Sequence, residues 1–128
     1  MTDRLGIWPM EDATILVVDD DPSIRDVVAS LLQMEGYDVL TASNGLEALR
    51  VIERQMPDLV VLDMRMPVMD GWTFVEKLHQ RGLDVPLLVL TATQDAHLWA
   101  EQVGAEDFLE KPFEITSLLE SVERLKAA

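Results

Sequence analysis

Leu59-Val60-Val61-Leu62-Asp63 is the stretch of sequence that decides the fold. Four aliphatic residues, two of them β-branched, run without interruption into a single carboxylate. Such a run is typical of a strand that is buried on both faces, as in a parallel sheet covered by helices. Asp63 then lies at the carboxyl end of the strand, which is the edge where open parallel sheets bind ligands. The stretch therefore predicts a parallel sheet with a functional carboxylate at its edge.

The rest of the chain alternates apolar strands with amphipathic helical patterns. The strands are predicted at residues 13–18, 37–42, 59–62, 86–90 and 107–110, and a helical pattern follows each of them. The second helix is expected to run through Met56 and to end at Pro57. This alternation predicts an α/β fold with a five-stranded parallel sheet, strand order 2-1-3-4-5, and five helices on both faces, as in the flavodoxin-like doubly wound folds.

Length and composition restrict the class of protein. The chain has 128 residues, and we expect a flexible leader at residues 1–12 followed by one domain at 13–128. A formal charge of −14 repels phosphate backbones and anionic membrane surfaces, so we predict neither direct nucleic-acid binding nor membrane binding. No cysteine is present, no signal peptide is recognisable, and no apolar run reaches the roughly 18 residues of a membrane span. We therefore expect a cytoplasmic protein.

Polar side chains follow four of the predicted strands at the point where each strand ends. Asp19 and Asp20 follow the first strand, Asp63 the third, Thr91 the fourth and Lys111 the fifth. Because the carboxyl ends of parallel strands share one edge of the sheet, these groups are predicted to converge there. Clustered carboxylates repel each other unless a cation joins them, and oxygen ligands suit Mg²⁺. A carboxylate can also attack phosphorus, with the metal and the lysine neutralising the transferred group.

These motifs together resemble the receiver domain of two-component response regulators, from about Ala13 to the C-terminus. The resemblance implies a phosphoprotein that acts in signal transduction or in a phosphorelay. Such a protein assists its own phosphorylation and dephosphorylation but is not a dedicated enzyme. Its motifs are Ile15-Leu16-Val17-Val18-Asp19-Asp20-Asp21-Pro22, Leu62-Asp63-Met64-Arg65-Met66-Pro67 with Met69-Asp70-Gly71, Leu90-Thr91-Ala92 and Lys111-Pro112-Phe113.

The resemblance also implies a phosphoacceptor and a metal site. Asp63 matches the residue that takes a phosphoryl group from a histidine kinase or a phosphotransfer protein. Asp19 and Asp20 match the acidic pair that holds Mg²⁺ (or Mn²⁺) together with Asp63, with Asp20 the more direct ligand. The backbone carbonyl of Arg65 matches the group that completes the metal site.

A second set of roles concerns the phosphoryl group and the switch. Thr91 matches the switch hydroxyl, and Lys111 matches the lysine that pairs with the phosphate. Phe108 matches the aromatic residue that moves inward on activation, and this changes the face formed by helix 4, strand 5 and helix 5. The peptide bond before Pro112 resembles one that is cis in the family.

The chain departs from the family pattern in two places. Thr91 and Gly104 are closer together than the resemblance implies, which puts the geometry of the helix 4 face in question. Arg65 and Thr93 occupy the variable positions two residues after the acceptor and two after the switch residue, which modulate dephosphorylation in relatives. The Arg65 side chain is expected either to pair with or shield the phosphoryl group, or to point to solvent.

Two other functions stay open on the sequence alone. One is a small Mg²⁺-dependent phosphohydrolase with Asp63 as nucleophile, although Arg65 stands where such an enzyme would need a second acid. The other is a pseudo-receiver that binds partners without phosphorylation. The output is equally open, since the downstream element is expected to be a protein partner, an output domain or a second copy in a homodimer.

Overall fold

The computed structural model describes residues 13–126 of the chain. The predicted leader, residues 1–12, and the last two residues of the predicted domain lie outside the described residues. Within them, strands and helices alternate five times. The strands are β1 (Thr14–Val18), β2 (Asp38–Ala42), β3 (Leu59–Leu62), β4 (Leu87–Thr91) and β5 (Asp107–Glu110). The helices are α1 (Pro22–Met34), α2 (Gly45–Arg54), α3 (Gly71–Gln80), α4 (Ala96–Val103) and α5 (Ile115–Leu125).

The strands form one parallel sheet in the order β2-β1-β3-β4-β5, which confirms the predicted topology. The central strand β3 pairs with β1 so that Leu62 lies opposite Val18, and it pairs with β4 on its other side. The carboxyl ends of β1 and β3 are therefore level with each other. This register brings the residues that follow Val18 and Leu62 to the same point of the sheet edge.

Helices cover both faces of the sheet. Alternate residues of a strand point to opposite sides, so each apolar strand contributes to both faces. Leu16 and Val18 of β1 pack into a core formed with α2, α3 and α4, whereas Ile15 and Val17 pack into a second core formed with α1 and α5. All four residues of β3 are buried. This double coverage explains why the three inner strands, β1, β3 and β4, are buried along their whole length, whereas the edge strands β2 and β5 are only partly buried.

Side-chain caps fix the start of the three helices nearest the sheet edge. The carboxylate of Asp21 accepts hydrogen bonds from the N–H groups of Ser23 and Ile24 at the start of α1. The Asn44 side chain accepts from Glu47 N–H in α2, and Asp70 accepts from Thr73 N–H in α3. Each cap satisfies amide groups that a helix leaves unpaired at its first turn. The loops that carry the site residues are thus anchored to helix ends.

Several predicted boundaries were wrong by one or two residues, and two of these differences have a clear physical reason. The second helix ends at Arg54 and does not reach Met56, because Gln55 is already extended and Met56 precedes a proline, which disfavours helical backbone. The second strand begins at Asp38, since the N–H of Tyr37 donates to Leu32 O at the end of α1. No helix among residues 13–126 is both long enough and apolar enough to cross a bilayer.

Candidate functional site

Three carboxylates meet at the end of β1 and β3. The N–H of Asp63 donates to Val18 O at 2.9 Å, which extends the pairing of the two strands by one residue. Asp19 and Asp20 leave β1 at the same level. One carboxylate oxygen from each of Asp19, Asp20 and Asp63 lies within 4.8 Å of the others. The sequence-predicted acids are therefore brought together, and we call Asp19, Asp20 and Asp63 the acidic cluster.

Lys111 reaches the acidic cluster from the end of β5. Its backbone N–H donates to Thr91 O at 2.8 Å, so the β4–β5 ladder sets the starting point of the side chain. Its Nζ lies 2.7 Å from Asp19 Oδ2 and 3.8 Å from Asp63 Oδ2. The peptide bond that joins Lys111 to Pro112 is cis. Lys111 thus places one ammonium group beside two of the three carboxylates.

Asp19 is the most deeply buried acid of the cluster, with 2% of its surface exposed. Its carboxylate accepts from Lys111 Nζ and from the N–H of Asp21 at 2.9 Å. Its backbone carbonyl accepts a hydrogen bond from Arg25 Nη1 of α1 at 2.9 Å. Both ends of the residue are held, whereas Asp20 is exposed to solvent. The cluster therefore combines a fixed inner carboxylate with an accessible outer one.

The electrostatics of the cluster favour a proton or a cation at Asp63. Burial raises the pKa of Asp63 from 3.8 to about 7; the Lys111 ammonium opposes this rise, and the neighbouring charges of Asp19 and Asp20 add to it. A single ammonium therefore does not neutralise the cluster. Oxygen donors that converge with excess negative charge match the ligand preference of Mg²⁺ or Mn²⁺. The residues present fit a divalent metal ion.

A cavity of about 360 Å³ opens beside Asp63. Thr91 is buried at its inner end, with 3% of its surface exposed, and Lys111 lies next to it. Asp63 belongs to the lining of the cavity, so a small group in it can reach this residue, whereas Asp20 is not part of the lining. Its lining consists of Asp63, Arg65, Thr91, Ala92, Thr93, Trp99 and Lys111.

The two variable positions lie on this cavity in different ways. Arg65 is exposed, and its guanidinium carbon lies 5.1 Å from the centroid of the Trp99 ring, a cation–π contact. Neither predicted alternative for Arg65, a phosphoryl partner or a solvent-directed side chain, included this contact. The Thr93 hydroxyl accepts from Asp95 N–H at 3.2 Å and so shapes the turn before α4.

Phe108, the predicted switch aromatic, lies on β5 and is partly buried. Its ring centroid lies 5.2 Å from that of His97, with the two planes tilted by 34°. His97 belongs to α4, which has only eight residues. The Phe108 side chain thus packs against α4.

Two residues at the site were missed by the sequence reasoning about function. Arg25 lies one helical turn beyond Asp21, so helical spacing at the start of α1 was a usable signal for its approach to the sheet edge. No role at this site is predicted for Trp99 from the sequence. The structure buries it, with 8% exposure, on the cavity lining. No sequence signal relates Trp99 to Arg65, which is 34 residues earlier.

Comparisons with known proteins agree with this geometry. The family described as "Response regulator receiver domain" matches residues 15–123. The chain is 42% identical over 106 residues to the probable transcriptional regulator ycf27 of Porphyridium aerugineum, covering 81% of this chain and 44% of that protein. It is 40% identical over 116 residues to the DNA-binding dual master transcriptional regulator RpaA of Synechocystis sp., covering 87% and 48%. The chain therefore spans about half the length of these curated relatives.

Solved structures give the same result for the fold. The chemotaxis protein CheY4 of Vibrio cholerae superposes with a TM-score of 0.81 at 36% identity, covering 89% of this chain and 98% of that one. The similarity covers the fold, with its five parallel strands in the order 2-1-3-4-5 and its five helices. The chain belongs to the response regulator receiver domain family and is a receiver domain of the two-component type.

Proposed function

We propose that Asp63 is the phosphoacceptor of this receiver domain and that a histidine kinase or a phosphotransfer protein supplies the phosphoryl group. The observation that carries the proposal is the position of the Asp63 carboxylate, at the end of β3, within 4.8 Å of Asp19 and Asp20 and 3.8 Å from Lys111 Nζ. In the reaction, a carboxylate oxygen forms a bond to phosphorus. The bond from phosphorus to the donor's leaving atom breaks, and an acyl phosphate results.

Asp19, Asp20 and Asp63, with the backbone carbonyl of Arg65, are the proposed holders of a Mg²⁺ or Mn²⁺ ion. Such an ion supplies positive charge to the oxygens of the transferring group. The raised pKa of Asp63 supports the assignment, because a carboxylate that is partly protonated near neutral pH is a poor nucleophile until positive charge is added. The inner carboxylate of Asp19 is already oriented by Lys111 and by Asp21 N–H.

Lys111 and Thr91 are the proposed partners of the phosphoryl oxygens. Lys111 Nζ is shared between Asp19 and Asp63 and needs only a small movement to reach a group attached to Asp63. Thr91 lies at the inner end of the same cavity, so its hydroxyl can donate to a phosphoryl oxygen. Phosphorylation adds about −1.5 to −2 charges, which strengthens both contacts.

The proposed signal is a change of packing at α4, β5 and α5. When Thr91 moves toward the phosphoryl group, Phe108 gains room to leave its contact with His97 and to turn inward. The domain thus has two arrangements of these side chains, and the phosphoryl group shifts the equilibrium toward the one with which it makes more favourable contacts. Thr93 and Arg65 are the proposed modulators of the lifetime of the acyl phosphate.

The receiver is proposed to act through protein contact. The two curated relatives above are named transcriptional regulators, and the chain spans about half of each, so an output domain, a separate partner or a homodimer can receive the signal. The formal charge of −14 favours basic or apolar protein surfaces over nucleic acid for the receiver itself. A dedicated phosphohydrolase is disfavoured because Arg65, and not an acid, follows Asp63 by two positions. A pseudo-receiver is disfavoured because Asp63, Thr91 and Lys111 line one cavity.

The intact mass after incubation with acetyl phosphate and Mg²⁺ tests the proposal. One phosphoryl group adds about 80 Da, and the gain is expected to be labile at alkaline pH, as an acyl phosphate is. Asp63→Asn is expected to show no gain. Asp21→Asn is the matched control: the same substitution on a neighbouring acid whose helix-capping role asparagine can keep. Continuous release of phosphate from acetyl phosphate without a labelled state would instead favour the hydrolase, and an unchanged wild-type mass the pseudo-receiver.

A further inference from the structure

Three side chains form a stack at the outer side of the cavity that contains Asp63. The guanidinium of Arg65 lies over the ring of Trp99, and that ring meets Trp72 edge to face, with centroids 4.8 Å apart and planes at 70°. The indole N–H of Trp72 donates to Gln102 Oε1 at 2.9 Å. We call Arg65, Trp99 and Trp72 the aromatic stack.

The stack fixes the ring of Trp99 much more firmly than the side chain of Arg65. Trp99 is buried in the core between the sheet and α3, with 8% exposure, and Trp72 packs against it from the first turn of α3. Arg65 lies in an exposed loop position and forms no salt bridge with a carboxylate among residues 13–126. The Trp99 ring is therefore the contact that determines where the guanidinium lies.

The position of the guanidinium is relevant to the chemistry because Arg65 and Trp99 both line the cavity beside Asp63. Lys111 and Thr91 line the same cavity, and one carboxylate oxygen from each of Asp19 and Asp20 lies within 4.8 Å of one from Asp63. Arg65 is exposed, so its side chain borders the solvent opening of the cavity, and the ring of Trp99 is in contact with it.

We propose that Trp99 is a positioning residue that holds the Arg65 guanidinium across this opening and thereby slows hydrolysis of the acyl phosphate at Asp63. The inference rests on the proposed function of Asp63. In the hydrolysis, a water oxygen forms a bond to phosphorus, and the bond from phosphorus to the Asp63 carboxylate oxygen breaks. The electron pair of that bond stays on the carboxylate, inorganic phosphate leaves, and the proton of the water passes to the solvent.

The test is a double-mutant cycle on the rate constant for loss of the phosphoryl group. The full chain is labelled with acetyl phosphate and Mg²⁺, the donor is removed, and the labelled fraction is followed by mass spectrometry. Trp99→Leu is expected to accelerate the loss by about two- to fivefold, the size of an exposed cation–π contact. Arg65→Ala is expected to do the same, and the double variant is expected to be no faster than either, because both remove one contact.

Two further variants separate positioning from general loosening of α4. Trp99→Phe keeps a ring under the guanidinium and is expected to restore most of the wild-type lifetime. Val103→Ala truncates a buried residue of the same helix that does not line the cavity, so it should lower stability and leave the lifetime unchanged. A second readout needs no phosphoryl group: the ring-current shift of the Arg65 side-chain protons in the NMR spectrum should vanish in Trp99→Leu and persist in Val103→Ala.

The outcomes distinguish this inference from the proposal on which it rests. A wild-type protein that takes no label at Asp63 contradicts both. A labelled wild type in which the two substitutions have independent, multiplicative effects, or no accelerating effect, overturns the positioning role of Trp99 and leaves the assignment of Asp63 standing.

Discussion

The cavity beside Asp63 has two sides that are held by different physics. On one side, the acidic cluster and Lys111 are partly buried ions, with Lys111 Nζ 2.7 Å from Asp19. On the other side, the aromatic stack joins an exposed arginine to two tryptophans through weak, non-ionic contacts. Ions inside a protein interact strongly and are costly to leave unpaired, whereas an exposed cation over an aromatic ring gains little. The difference indicates that the first side provides the chemistry and the second adjusts its rate.

The largest effect on stability is expected from removal of the charge at Asp63. Because the folded-state pKa of Asp63 is about 7, above its ordinary value of 3.8, folding favours the protonated group. The contribution of Asp63 to the free energy of unfolding is fully present below pH 4 and is lost as the pH rises through 7. The upper limit of this loss is roughly 4 kcal/mol. In metal-free buffer, Asp63→Asn should therefore be more stable than the wild type at pH 8, and the two should converge near pH 4.

Urea denaturation at several pH values measures this difference. Asp21→Asn serves as the control, since the same change on an exposed helix cap should leave the pH dependence of stability as it is in the wild type. An Asp63→Asn variant whose stability follows the wild-type pH dependence would mean that Asp63 is not electrostatically strained.

Loss of the Lys111 ammonium should have the next largest effect. Lys111→Met leaves Asp19, which is 2% exposed, without its ionic partner, and breaking a buried pair in this way costs about 3 kcal/mol. The exposed pair between Arg81 and Glu53, with a distance of 3.0 Å, provides the comparison: Arg81→Met should cost less than about 1 kcal/mol. If chemical denaturation showed that Lys111→Met and Arg81→Met lower the free energy of unfolding equally, the distinction between buried and exposed ion pairs would be contradicted.

Metal binding should stabilise the domain by an intermediate amount. At a Mg²⁺ concentration ten times its Kd, the folded state gains about 1.4 kcal/mol by mass action. The rise in Tm on adding Mg²⁺, and its reversal by EDTA, should be present in the wild type and greatly reduced in Asp20→Asn. Arg65→Ala should keep the full rise, because only the backbone carbonyl of Arg65 is a proposed ligand. A smaller rise in Tm in Arg65→Ala would show that the Arg65 side chain takes part in metal binding, which would contradict its assignment to the aromatic stack.

The smallest stability effect is expected from the aromatic stack. Arg65→Met removes the cation from the Trp99 ring and should lower the free energy of unfolding by about 0.5–1 kcal/mol. Because the contact is a cation–π interaction, Arg65→Lys should recover part of this loss. A cost several times larger would show that the stack supports the fold and not only the position of Arg65.

The two sides of the cavity also differ in how far the sequence could predict them. Asp19, Asp63, Thr91 and Lys111 end or follow strands, so the rule that parallel strands share a carboxyl edge is enough to bring them together. The contact between Arg65 and Trp99 depends on side-chain rotamers and on the angle of a short helix, which periodicity does not encode. The interaction of Arg25 with the Asp19 carbonyl was accessible to helical spacing but needs the structure to identify its acceptor.

The fold was predictable for a similar reason, and its errors were local. The inner strands β1, β3 and β4 are buried and leave a strong apolar signal, and the regular alternation of strand and helix then indicated the partly exposed edge strands β2 and β5. The end of α2 was misplaced because the apolar spacing that includes Met56 outweighed the effect of Pro57 on its neighbour. Long-range order thus followed from simple patterns, whereas helix ends and side-chain contacts depended on competition among local interactions.

The most direct test of the central assignment is to identify the residue that carries the phosphoryl group. The full chain is incubated with acetyl phosphate and Mg²⁺, reduced with borohydride, which converts an aspartyl phosphate to homoserine, and mapped by peptide mass spectrometry. The structure predicts homoserine at position 63 and at no other aspartate. Homoserine at Asp20, Asp70 or another acid, or its absence from a protein that has gained the mass of a phosphoryl group, would contradict the assignment of Asp63 as the phosphoacceptor.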